Sequence, residues 1–160
     1  MLKRFALVAF AAFLAAPVFA QGNPRGEATA TVAGKAVSIE YGRPSLKGRD
    51  MLGQAQVGQA WRMGADAATS LKTDADLAFG AVSVPKGEYI LTATKVAAAE
   101  WHLNVLAKAD RAKVAEVPLA LSTLPQSVEM FTVALKGEKD KGDFEMHWGT
   151  TALKASFTGK

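Results

Sequence analysis

Along most of the chain, apolar side chains recur at every second position. Val37, Ile39 and Tyr41 alternate with Ala36, Ser38 and Glu40. Tyr89, Leu91 and Ala93 alternate with Ile90, Thr92 and Thr94, a mixed run that predicts a strand covered on both sides. Trp101, Leu103 and Val105 alternate with His102 and Asn104. Phe131, Val133 and Leu135 share one face, and Phe144, Met146 and Trp148 lie opposite Asp143, Glu145 and His147. Leu153, Ala155 and Phe157 close the pattern. Successive side chains of a strand point to opposite sides of its sheet, so such alternation predicts half-buried strands. Turn chemistry separates the runs, at Pro85-Lys86-Gly87 and across the charged stretch Lys136–Gly142. No helical pattern of a dozen residues recurs between strands, and a parallel βαβ sheet is not expected. The expected class is mainly β: a single antiparallel β-sandwich or barrel-like domain with one long packed loop after the first strands. Only Asp50–Ala60 and Asp110–Ala115 leave room for short helical turns.

The first residues follow different rules. Lys3 and Arg4 precede an uncharged apolar run from Phe5 to Ala16, Pro17 breaks it, and Val18-Phe19-Ala20 leads to Gln21. This is the layout of a secretory signal with cleavage after Ala20. The run is short of the about 20 residues a membrane-spanning helix needs. The reading is a signal peptide over 1–20, a polar disordered lead-in over 21–26 and a single β-rich domain over 27–160. It places the protein in the periplasm or outside the cell, with no membrane span after cleavage.

Charge changes little in this picture. The whole chain carries 19 Lys and Arg against 15 Asp and Glu, a net +4; without Lys3 and Arg4 the cations fall to 17 and the net to +2. A charge that small does not point to nucleic acid as a partner. The chain has no cysteine. Export into an oxidising compartment therefore brings no disulfide, and thiol catalysis and cysteine-ligated metal are excluded.

Composition shifts between Tyr41 and Thr69. The segment reads Tyr41-Gly42-Arg43-Pro44-Ser45-Leu46-Lys47-Gly48-Arg49 and, after a linker, Trp61-Arg62-Met63-Gly64-Ala65-Asp66-Ala67-Ala68-Thr69. A connection longer than about 12–15 residues in a compact domain is usually functional or disordered. The apolar spacing of Met51, Leu52, Val57, Trp61 and Met63 points to packing. Two readings stand side by side. In one, Arg43, Lys47, Arg49 and Arg62 supply charge, Tyr41 and Trp61 supply shape, and Asp66 and Thr69 complete a pocket for a small polar or anionic ligand. In the other, the arginines bond loop carbonyls and pair with Asp50 or Asp66, and Trp61 anchors the core.

The pattern Tyr-x-Arg-Pro-Ser-x-Lys-Gly-Arg followed by Trp-Arg-x-Gly-Ala-x-x-x-Thr resembles the exported bacterial family known as domain of unknown function 2911. Val84 before Pro85-Lys86-Gly87-Glu88-Tyr89, and Glu100-Trp101 with Asn104 downstream, fit the same family. The resemblance runs from about Arg25 to Phe157. It implies a compact β-rich exported domain and carries no established reaction or ligand. Two positions depart from the family: Asp66 stands where it often has Asn, and Val57 where it often has an aromatic residue. A carboxylate accepts hydrogen bonds, and donates one only when protonated.

Little other chemistry presents itself. Glu145 and His147, two apart, project to one face of a strand, and His102 would complete a three-ligand metal set for a metal-dependent hydrolase if the strands were neighbours. Ser45 with a distant His and Asp66 could form a triad only through tertiary contact. Asp74 and Asp76 suit a strand end or turn. No phosphate loop, dinucleotide fingerprint or calcium loop occurs, and no cofactor is expected. Three functional readings follow: a non-catalytic binder of a small polar or anionic ligand or partner, the metal-dependent hydrolase, and a purely structural envelope protein.

Overall fold

The computed structural model describes residues 22–160; the expected signal and its cleavage point lie outside them. Ten strands follow one another among the described residues: β1 (Arg25–Val32), β2 (Lys35–Gly42), β3 (Ala60–Trp61), β4 (Ser70–Thr73), β5 (Leu77–Phe79), β6 (Val82–Val84), β7 (Gly87–Ala97), β8 (Glu100–Ala107), β9 (Lys113–Glu138) and β10 (Lys141–Gly159). They form one antiparallel sheet in the order β1-β2-β4-β7-β8-β9-β10-β5-β6, not closed into a barrel, with β3 paired to β7. The mainly β antiparallel expectation holds.

Two long strands give the sheet its layers. β9 pairs with β8 through Lys113–Leu119 and with β10 through Ala120–Thr123, at Val128 and again through Thr132–Glu138. β10 doubles back at Gly149, whose φ of 62° suits glycine. Its two halves then lie side by side: the Gly159 N–H donates to the Asp140 carbonyl (2.7 Å) and the Ser156 hydroxyl to Asp143 Oδ1 (2.6 Å). Opposite this bend the register with β9 passes from Gly149↔Val128 to Thr151↔Thr123, so residues 124–127 arch over the bend. The chain is thereby carried from one layer to the other. Val37, Ile39, Leu71, Leu91, Leu103 and Val105 meet Leu77, Phe144 and Phe157 in the buried core between them. The alternation read from the sequence decides which side chains enter it.

Some local expectations change. Arg25 and Gly26, assigned to the lead-in, pair with Gly42 and Tyr41 in β1. Asp50–Ala60 holds the short turns expected of it, with Gln54 N–H on the Asp50 carbonyl (3.1 Å) and Gly53 N–H on Asp50 Oδ1 (2.9 Å). Lys113–Ala115 opens β9, because Ala115 faces Val105 of β8 and is buried there. The turn expected over Lys136–Gly142 shrinks to Lys139 and Asp140, the flanking residues being paired. Asp76 does sit at a strand end, directly before β5, exchanging main-chain hydrogen bonds with Lys160 (3.2 and 2.9 Å).

Candidate functional site

The long connection between β2 and β4 is laid against β9. The Phe131 N–H donates to the Pro44 carbonyl (2.9 Å), the Leu46 N–H donates to the Glu129 carbonyl (3.0 Å), and Ser45 bridges Met130. Residues 44–46 thus extend the sheet by one short rung. Ser45 lies in this main-chain rung.

The aromatic members of the segment are core residues. Tyr41 is buried, its hydroxyl donates to the Val133 carbonyl (3.2 Å), and its ring meets Phe131 edge-on at 5.6 Å. Trp61, half-buried, stacks on Trp148 at 5.7 Å and 19° and meets Phe131 edge-on at 5.1 Å. Offset and edge-to-face aromatic pairs add roughly 0.5–1.5 kcal/mol each beyond the area they bury.

The segment's three arginines are turned to main-chain carbonyls. Arg43, half-buried, donates from Nε to the Phe131 carbonyl (3.3 Å) and from Nη2 to Thr132 Oγ1 (3.2 Å). Arg49 Nε donates to the Leu46 carbonyl (3.2 Å). Arg62 Nη2 donates to the Asp66 carbonyl. Lys47 is exposed with a positive φ of 50°, and its own N–H donates to Glu129 Oε1 (3.0 Å). Asp66 accepts the Asn23 N–H on Oδ2 (2.7 Å), so it ties down the residues before β1. An acceptor role suits the carboxylate at this position. Thr69 is buried and donates to the Met63 carbonyl. Partners such as Thr132, Glu129 and Asn23 had no signal in the sequence, since each is distant along the chain.

One solvent-open hollow borders the segment. It measures about 370 Å³ and is lined by Arg49, Asp50, Ser127, Glu129 and Thr150, with Leu46 at its base. Of the eight segment residues proposed for a ligand, Arg49 alone lines it.

The two histidines are held apart from each other in separate clusters. His102, on β8, places Nδ1 at 2.6 Å from Glu116 and Nε2 at 3.1 Å from Glu100. His147, on β10, places Nε2 at 3.3 Å from Glu145, which Lys154 and Lys136 also reach at 3.2 and 3.5 Å. The three-ligand set His102, Glu145 and His147 is therefore not assembled, and among the described residues no three such groups are gathered to hold a metal ion. Strand spacing placed Glu145 and His147 on one face correctly; the missing third ligand depended on sheet order. Burial works against the charge on Glu145, but Lys154 and Lys136 outweigh it and hold its pKa below the usual carboxylate range.

With both ring nitrogens on carboxylates, His102 is favoured as the imidazolium, which alone donates from both. The hydrogen bond to Glu116 raises its pKa most, against desolvation and with help from Glu100; Glu116 is lowered by Lys113 first and His102 second. The stabilisation from His102 is complete below its unfolded value of about 6.5 and is lost as pH rises through the higher folded value. That from Glu116 is present above the unfolded carboxylate value and lost on acidification. Raising pH from 6 to 9 is therefore expected to lower the melting temperature of the native protein by about 2–4 °C more than that of His102→Gln. Parallel pH profiles for the two proteins would show that this cluster contributes nothing.

No curated protein and no solved structure matches the chain. A family described as protein of unknown function (DUF2911) matches residues 23–157, which takes in every strand but the last two residues of β10, together with the whole Tyr41–Thr69 segment. The chain belongs to that family.

Proposed function

We propose that this protein is a non-catalytic structural domain of the cell envelope, exported by its N-terminal signal, and that the Tyr41–Thr69 segment is its internal brace. One observation carries the reading. The guanidinium groups of Arg43, Arg49 and Arg62 each donate to a main-chain carbonyl, at Phe131, Leu46 and Asp66. A side chain that fixes a loop in this way has fewer donors left to meet a ligand. The Lys3-Arg4 pair, the apolar run and the small residues before Gln21 support export.

A second reading is favoured by the hollow beside Arg49, whose guanidinium, with Ser127 and Thr150, could meet a small polar or anionic ligand. Thermal melting separates the two. As a brace, Arg43→Ala is expected to lose about 1.5–3 kcal/mol, the range for a hydrogen bond from a charged donor, and the exposed Arg62→Ala less. No anion or neutral glycan is expected to give the wild type a rise in melting temperature that Arg49→Ala abolishes. A rise of that kind would replace the brace with a ligand site, because a binder of the native state stabilises by mass action.

A further inference from the structure

A second concavity shares no lining residue with the brace. It occupies about 570 Å³, within the range of small-molecule sites, where the β9–β10 hairpin meets the β5–β6 turn. Register explains its shape. Asp143 faces Lys136 across one ladder, and Lys141 faces Glu138. On the folded-back half of β10, Ser156 bonds Asp143, and Thr158 is paired with Ala78 of β5. The floor is thus made of short side chains, Ala78, Ser156 and Thr158, with Gly80 beside them. The long side chains Lys136, Glu138 and Lys141 stand along one wall. Short residues on two adjacent strands beside long ones on the next two make a trough.

The chemistry of the trough is mixed and balanced. Lys136 and Lys141 oppose Glu138 and Asp143, so the lining has no net charge. Two of these ions are already compensated: Lys136 lies 3.5 Å from Glu145, and Asp143 takes the Ser156 hydroxyl and lies 3.5 Å from Lys154. A charged group placed on the floor would meet only short neutral side chains there and would have to lose water, while the walls offer one further cation and one further anion, Lys141 and Glu138, in balance. Paired ions still offer free hydrogen-bonding directions. Ammonium donors, carboxylate acceptors and two hydroxyls that do both alternate over a few ångströms, a pattern that suits adjacent hydroxyl groups.

We propose that this trough is a binding site for neutral polyhydroxylated ligands, that is, for short oligosaccharides. The site is distinct from the Tyr41–Thr69 segment and does not depend on its role as a brace. Ligand hydroxyls donate to Asp143 and Glu138, accept from Lys136 and Lys141, and exchange with Ser156 and Thr158.

Amide chemical-shift titration of the purified protein tests this, with maltotriose, cellotriose and chitotriose as neutral probes and inorganic phosphate and diglycine as charged ones. At least one trisaccharide is expected to shift amides of Lys136–Asp143 and Ser156–Thr158 in a saturable way. Ser156→Arg, an exposed change that fills the floor, is expected to weaken that binding about tenfold or more while leaving amides of the brace in place. Three results would overturn the proposal: no saturable shift in the trough with any trisaccharide, shifts confined to the hollow beside Arg49, or stronger binding of phosphate or diglycine than of every trisaccharide. A Ser156→Arg protein with wild-type affinity would overturn it equally, and Thr158→Arg provides the same test should Ser156→Arg not fold.

Discussion

Phe131→Ala is expected to lower the free energy of unfolding by about 3–5 kcal/mol, the cost of emptying a large aromatic site in a packed core. The ring is fully buried and touches three other aromatic rings, Tyr41, Trp61 and Trp148. Its own N–H holds Pro44, and its carbonyl accepts from Arg43. One residue of β9 therefore joins β2, the two-residue strand β3 and the long loop. Urea unfolding should show a lower midpoint with little change in slope, as stability falls without a change in the surface exposed. The near-ultraviolet circular dichroism of the Trp61–Trp148 stack should weaken as well, since Phe131 packs against both indoles. A loss under about 1 kcal/mol would mean that the aromatic cluster does not fasten the loop to the sheet.

Gly42→Ala is expected to cost about 3 kcal/mol or more, at the upper end of overpacking effects. A β-carbon on Gly42 would overlap the Ala65 carbonyl oxygen, and a main-chain atom held between Arg62 and Thr69 cannot swing aside as a side-chain tip can. The informative comparison is Gly48→Ala. That glycine has a positive φ of 77°, and a β-carbon there would meet nothing within 4 Å. Its replacement should cost only the backbone strain, about 1 kcal/mol. Paired thermal melts of the two variants measure the difference. Equal losses would show that the Ala65 turn does not press on β2, and the account of the segment as a close-packed brace would fail at that contact.

These two substitutions mark where sequence reading stops. Alternation at Val37, Ile39 and Tyr41, at Trp101, Leu103 and Val105, and at Phe144, Met146 and Trp148 named buried faces that the structure confirms. Alternation is a local property, so it survives without knowledge of the partner strand. Weak alternation carries little information for the same reason. β1 alternates only Ala28, Ala30 and Val32 with threonines, and the first part of β9 contains Pro118, which is unpromising in a strand. The segment from Tyr41 to Thr69 is legible as unusual and packed, from its length and its apolar spacing, although Val57, counted in that spacing, is exposed. Its two readings could not be separated, because Arg43 and Phe131 stand 88 residues apart.

By itself the sequence determined the mainly β class, the inward faces of its principal strands and membership of one family, since these follow from neighbouring residues and short motifs. Only the tertiary structure decided which carbonyl each arginine holds, that His102 and His147 sit in separate clusters, and that small floor residues and charged walls meet in a trough. Each of those depends on sheet order and on the bends in β9 and β10. Such non-local pairings are chosen by burial summed over the whole core, and no single stretch of chain encodes them.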